Sequence, residues 1–236
     1  MKTKGYVVYE GPSAINGDPI VAILTLKSNN VKTGNMAQLW IMARDTAPHI
    51  AKKEGKDDAV CGDCPIKKEC YVLTFQGPLS VWNAYKRGVY TNIVSILEND
   101  IDNAVYSLLE DLARLSIRFG AYGDPAALPQ WLIKNIADNC KDFTGYTHQW
   151  DKPGFNFLNN YFMASVESVS QHIYAQSLGF RTFRIKSQSM PIGDSEIECP
   201  ADSKGIQCID CMLCNGSKEA TNIVINGHGA HAGGLK

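Results

Sequence analysis

No stretch of this 236-residue chain approaches the ~20 consecutive apolar residues that a membrane-spanning helix needs. Net charge is nearly absent as well. Lysine plus arginine total 23 against 24 aspartates plus glutamates, leaving -1. No global positive field is available to hold a nucleic acid or an anionic membrane, and only a local basic patch would serve such a partner. The opening stretch "MKTKGYVVYEGPSAINGD" has no hydrophobic signal core, so a cytoplasmic location is expected. Internal repeats and low-complexity tracts are missing. So are a P-loop, a Gly-x-Ser-x-Gly elbow and a dinucleotide fingerprint, which removes the commonest phosphate-cradling and acyl-transfer chemistries.

Cysteine, by contrast, is plentiful: the chain has eight, and seven of them fall in two groups. "CGDCPIKKECYV" holds Cys61, Cys64 and Cys70, spaced C-x2-C-x5-C. "CPADSKGIQCIDCMLC" holds Cys199, Cys208, Cys211 and Cys214, spaced x8, x2, x2. In a reducing cytosol, grouped cysteines point to metal more than to disulfides. Four thiolates can close a tetrahedral zinc site or ligate every iron of a [4Fe–4S] cluster. The tight C-x2-C-x2-C run favours the cluster, with zinc as the alternative, because a zinc ribbon ordinarily uses two separated C-x2-C knuckles.

Three thiolates leave one coordination position open. In a zinc site that position would take a histidine or water, and His49 is the nearest histidine on the N-terminal side. In a [4Fe–4S] cluster the open iron would accept an exogenous amine and carboxylate. Cys140, at the end of an apolar helix, reads as a buried structural thiol rather than a fourth ligand.

The length and a hydrophobic fraction of 44% suit one good-sized domain, alone or with an appendage. The first part is β-rich: "GYVVYE", "PIVAILTLK" and "MAQLWIMA" are strand candidates, the first two separated by the turn-forming "SAINGD". "GPLSVWNAYKRG" reads as a helix stopping at Gly88. Ile101, Val105, Leu108, Leu112 and Leu115 mark an amphipathic helix. Then come the strand "SIRFGAYGDP", a helix starting at Pro129, the strand and loop "DFTGYTHQW", the strand "NYFMASVES", a helix closed by Gly179, and the strand "RTFRIK".

This alternation predicts βαβ units. The expected fold is α/β, a partial or irregular (β/α) barrel with functional groups at its C-terminal strand ends. Residues 1–186 would form that barrel-like domain, including the first cysteine loop. Residues 187–236, with little periodicity, would be a metal-stapled cysteine-rich extension.

The three-cysteine loop, with Tyr71 beside Cys70, and a strand ending in "GAYGDP" together resemble radical S-adenosylmethionine enzymes. Those enzymes hold a [4Fe–4S] cluster with one open iron early in a (β/α) barrel. Their usual loop is C-x3-C-x2-C, and this one departs from it. Over most of the chain, "KTGNMAQLWIM", "CGDCPI", "GAYGDPAALP", "TGYTHQW", "MASVES", "RTFRI" and the C-terminal cysteines resemble an uncharacterised family of bacteriophages, plasmids and bacteria.

The first resemblance implies cofactor contacts at Gly120, Gly123 and Asp124 for the methionine amine, at Ser165 and Glu167 for the ribose, and at Arg184 for the carboxylate. It also implies S-adenosylmethionine as cofactor and an auxiliary cluster in the C-terminal extension. The second implies a phage or mobile-element setting and a host-cell cytoplasm.

Other residues carry two readings each. Gly-Asp-Pro is good turn chemistry in its own right. Arg118 suits a carboxylate or a structural ion pair. Tyr146, His148 and Trp150 suit a substrate pocket, although a lone histidine is more often structural. His228 and His231 are minor metal-ligand candidates near a terminus. "KKEGKDD" carries acids among its bases and reads as a solvated face.

The expectation is therefore an iron–sulfur protein with one or two clusters and a radical-enzyme-like barrel acting on an unknown substrate. The alternative is a non-catalytic, metal-stapled scaffold binding a host factor or nucleic acid. Near-neutral charge speaks against the nucleic acid.

Overall fold

A computed structural model describes residues 3–68, 70–95 and 101–227, with backbone alone for residues 101 and 102. These fall into two compact units. The first takes the described residues within 1–29, 35–62 and 73–143; the second takes those within 30–34, 63–72 and 144–236.

In the first unit the three expected strands form an antiparallel meander: β1 (Gly5–Pro12), β2 (Pro19–Thr25) and β3 (Ala37–Ala43). Ile20 to Leu24 have no exposed surface at all, so both faces of β2 are covered, as its unbroken apolar run requires. Helices α1 (Pro48–Glu54), α2 (Asp58–Cys61) and α3 (Gly77–Lys86) pack against β3. Trp82 Nε1 donates to the Ala43 carbonyl at 3.2 Å. The short β4 (Thr91–Asn92) pairs in parallel with β1.

Helix α4 (Ile101–Leu112) leads to β5 (Ser116–Tyr122), which runs parallel to β3. Helix α5 (Gln130–Asn139) packs on α4, with Pro129 as its N-cap, and is followed by β6 (Asp142–Thr144). The sheet order is β4-β1-β2-β3-β5-β6.

The second unit is built on a fully parallel five-stranded sheet, ordered β10-β11-β9-β8-β7. Its strands are β7 (Tyr146–Thr147), β8 (Met163–Val166), β9 (Thr182–Lys186), β10 (Glu196–Glu198) and β11 (Asn222–Asn226). Helix α6 (Val169–Ser177) connects β8 to β9 and packs on both. A capping box starts it: the Ser168 hydroxyl accepts from the Gln171 N–H, and the Gln171 side chain accepts from the Ser168 N–H. The one-turn helices α7 (Pro200–Ser203) and α8 (Cys208–Cys211) lie between β10 and β11.

The architecture is thus mixed α/β with two open, parallel-containing sheets. The expected barrel does not close among the described residues: each sheet has two end strands, and the antiparallel meander departs from the uniform parallel pairing of a (β/α) barrel. The expected appendage after Lys186 is also built in. β11 inserts between β9 and β10, so residues 196–226 complete the second sheet. "EIE" and "NIVIN" are too short to show a period of their own, and their strand character comes from pairing with β9 and with each other.

Candidate metal centre and strand-end site

Alternation along the second sheet sorts its residues onto two faces. One face carries Met163, Phe183, Ile185, Ile223 and Ile225, which gather with Tyr146, Leu213, Cys199 and Cys214 into a core cluster. Cys199 follows β10 directly; it is 7% exposed, and its N–H donates to the Val224 carbonyl at 2.9 Å. α8 places Cys208 and Cys211 one turn apart. Met212 then adopts a left-handed φ of 49°, reversing the chain before Cys214.

The Cys214 thiol is pushed up to about 12. Burial is the main cause, opposed by a hydrogen bond from the Tyr146 hydroxyl and reinforced by the nearby Cys199, Cys208 and Cys211. All four cysteines thus share one electrostatic neighbourhood. The charges of the other three disfavour the Cys214 thiolate further, and a cation bound among the four sulfurs would offset that cost.

The loop carrying these cysteines is held by segments distant in sequence. Cys208 N–H donates to the Lys32 carbonyl at 3.0 Å and Ile209 N–H to the Thr33 carbonyl at 3.2 Å. Lys32 also pairs with Asp202 at 2.7 Å. Gly34, at φ 66°, passes so close that a Cβ there would lie 2.8 Å from Ile209 Cγ2. Arg181, just before β9, donates to the carbonyls of Asn215 (2.7 Å), Leu213 (2.9 Å) and Thr221. Burial lowers its pKa, and the charge of Cys214 works against that shift. An open cleft of about 510 Å³ lies beside it, lined in part by Asn159, Asn160, Ser217 and Lys218. No local sequence signal marks residues 30–34 or Arg181 as partners of the cysteine loop, because these contacts span more than thirty positions.

Among the described residues, no group of three or more His, Cys, Asp or Glu side chains is drawn together as a formed metal shell. The four-cysteine group fits a metal in donor type and neighbourhood, not as a closed shell. Of the first group, Cys61 closes α2 in the first unit, whereas Cys64 and Cys70 belong to the 63–72 stretch of the second. All three are half-buried cysteines outside any disulfide. His49 is exposed on α1. The Cys140 thiol is pushed up to about 12, by burial first and then by the charge of Asp142, as befits an inert structural thiol. His228 and His231 lie outside the described residues.

The residues expected to bind a cofactor fall in two places. Gly120, near the end of β5, and Gly123, just past it, adopt φ of 69° and 82°; a Cβ on Gly123 would lie 2.5 Å from the Ile41 carbonyl oxygen. Asp124 caps the turn that follows, accepting from Ala126 N–H at 2.9 Å. Local backbone geometry alone accounts for all three. Arg118 is half-buried on β5.

The others stand at the second sheet. Arg184 does bind a carboxylate, but that of Glu196: two hydrogen bonds of 2.7 and 2.6 Å join side chains each 1% exposed. Burial would raise the Glu196 carboxyl. The Arg184 fork, the Gly193 N–H and the Arg184 charge outweigh it and hold the group below its usual range. Ser165 is buried on the cysteine-bearing face, and its carbonyl accepts from Trp150 Nε1 at 3.0 Å.

At the C-terminal ends of β7 and β8, His148 Nε2 and Glu167 Oε1 meet at 3.2 Å, both partly exposed. Trp150 stacks edge-on to Tyr174 nearby in the chain fold, with ring centroids 5.7 Å apart. The carboxyl ends of parallel strands are where open α/β sheets place their ligands. Of the expected pocket residues, the structure joins His148 to Glu167 and commits Trp150 to the core.

No protein-family model, no curated protein and no solved structure matches this chain. No helix among the described residues is long and apolar enough to cross a membrane.

Proposed function

We propose that the chain is an iron–sulfur protein whose four-cysteine group, Cys199, Cys208, Cys211 and Cys214, holds a [4Fe–4S] cluster, with zinc as the competing occupant. The observation carrying this reading is the shared electrostatic neighbourhood of the four thiols at the core of the second unit. A bound cluster supplies one-electron chemistry. The protein's own part is to hold four sulfurs on one loop system, exclude water with Met163, Ile223 and Ile225, and keep the loop fixed through Arg181 and residues 32–34.

The spacing of Cys61, Cys64 and Cys70 supports a second cluster with one open iron. The resemblance to radical S-adenosylmethionine enzymes extends to that iron a cofactor bound through its amine and carboxylate. The His148–Glu167 pair would then offer a proton-exchanging group at a strand end. A phage or mobile-element setting, with a host-cell cytoplasm, belongs to the same proposal.

One observation favours a second reading, a metal-stapled scaffold without catalysis: Gly120, Gly123, Asp124 and Arg184 are already engaged within the protein.

Anaerobic purification with iron, sulfide and zinc analysis, absorption and EPR separates the two. Iron with sulfide is expected, and zinc alone at both sites would sink the iron–sulfur reading. Adding S-adenosylmethionine to the reduced protein should change the EPR signal and release 5′-deoxyadenosine. An unchanged signal with no 5′-deoxyadenosine leaves the scaffold, or an iron–sulfur electron carrier or redox sensor that binds no S-adenosylmethionine. Replacing Cys61, Cys64 and Cys70 by alanine should remove one cluster and spare the other.

A further inference from the structure

We infer that Arg181 and Tyr146 position and charge-balance the four-cysteine centre by acting on Cys214; the inference rests on the metal-bearing reading of that group. Two observations fit each other. Arg181 is a half-buried cation that no carboxylate pairs with among the described residues; its partners are the carbonyls of Leu213, Asn215 and Thr221, and its Nε is buried without a hydrogen-bond partner. Carbonyl dipoles satisfy its hydrogens but supply no net charge, and a buried charge calls for a counter-charge. The four-cysteine group is the converse. Four thiolates around a divalent metal, or around a [4Fe–4S] core in its usual oxidised charge, leave a net negative site. Cys214 is the group whose charge acts on Arg181.

The geometry makes the match specific. Leu213 and Asn215 are the residues on either side of Cys214, so the Arg181 fork grips the carbonyls of both chain neighbours of that cysteine. Tyr146 donates its hydroxyl to the same sulfur, and its ring is fixed against Phe183 at a centroid distance of 4.3 Å. Gly145 N–H donates to the Cys214 carbonyl at 3.3 Å. Arg181 and Tyr146 stand on β9 and β7 or immediately beside them, two strands of one rigid sheet separated by β8. Outer partners mounted on strands orient a metal ligand and set its basicity, and their loss typically weakens metal binding about 10–100-fold.

The experiment is a cobalt(II) titration of the reduced full-length chain with Cys61, Cys64 and Cys70 replaced by serine. The thiolate-to-cobalt absorption then reports the four-cysteine group alone. Arg181→Met and Tyr146→Phe should each weaken cobalt binding about 10–100-fold, and Arg181→Lys should fall between Arg181→Met and the parent, because lysine keeps the charge but lacks the planar fork that spans the three carbonyls. A residue that only supported the fold would lower the melting temperature of the metal-free protein without ranking lysine above methionine. Parental affinity in both Arg181→Met and Tyr146→Phe would overturn the inference while leaving the metal reading intact. No thiolate absorption in the parent would overturn both. Should Arg181→Met fail to fold, Tyr146→Phe decides alone, since it removes one hydroxyl and keeps the ring.

Discussion

The first sheet covers its central strand with hydrocarbon on both faces, whereas the second divides its faces between an apolar, cysteine-bearing side and a polar buried side. In the first, Ile20 to Leu24 are fully buried, and no ion pair among the described residues lies in their midst. In the second, Thr182, Arg184 and Lys186 alternate out of the apolar cluster. Arg184 meets Glu196 on β10, while His172 on α6 reaches Thr182. The four thiols of the C-terminal group and the His148–Glu167 pair are carried by this less uniform sheet and the segments joining its strands. A sheet sealed by hydrocarbon alone has few polar groups to offer chemistry; a divided one has many but must satisfy each of them.

The sharpest way to break the contrast is to remove one half of the buried ion pair. Arg184→Met strands a carboxylate 1% exposed, and the expected loss is about 3–5 kcal/mol of unfolding free energy, measured by urea denaturation. Replacing both partners, as Arg184→Met with Glu196→Leu, should recover most of that loss, because a hydrophobic pair of similar volume escapes the desolvation penalty. A double variant as unstable as the single one would show that Glu196's other contacts, with the Gly193 N–H and near His172, matter more than the pair.

The first sheet should answer differently. Ile23→Ala on β2 creates a cavity in a region with no exposed surface, at about 2–5 kcal/mol, and Ile23→Val should cost only about 0.5–1.5. That smooth dependence on methyl count, with no rescue by a second substitution, is the signature of hydrocarbon packing. A smaller effect comes from the cap of α6. Ser168→Ala removes the hydroxyl that accepts from Gln171 N–H and should cost about 1 kcal/mol in the same assay.

How far the sequence revealed this division depended on run length. "PIVAILT" and "AQLWIMA" are long enough for β-branched apolar character to declare a buried strand, and "SVSQHIYAQSLGF" carries both its cap, Ser168, and its terminating glycine. β10 and β11 have three and five residues, so pairing decides them and the segment after Lys186 reads as irregular. The cysteine spacing announces a shared site, but Arg181 and residues 32–34 reach it through backbone carbonyls, which leave no imprint on residue type. Arg184 was legible as a residue suited to a carboxylate. That the carboxylate is Glu196, twelve positions on and across an intervening strand, follows only from the strand order.

The gentlest probe of the polar face is pH. His172 is 7% exposed, with Nδ1 2.6 Å from Thr182 Oγ1, Nε2 3.1 Å from Ser195 Oγ, and Glu196 at 3.8 Å. Burial lowers its pKa below 6.5; Glu196 works against that shift and Arg184 adds to it. The unfolded chain therefore binds this proton more readily than the folded one. The contribution of His172 is present in full above pH 6.5 and is lost as pH falls from there through the depressed folded value. Glu196, also depressed, adds a second loss of the same sign at more acidic pH, below its ordinary 4.5. Melting temperatures measured between pH 8 and pH 4 should fall in that order. His172→Gln keeps an amide able to bond both hydroxyls and should flatten the upper part of the curve alone. An unaltered curve in that variant would assign the near-neutral loss to a group elsewhere and remove His172 from the account of the divided sheet.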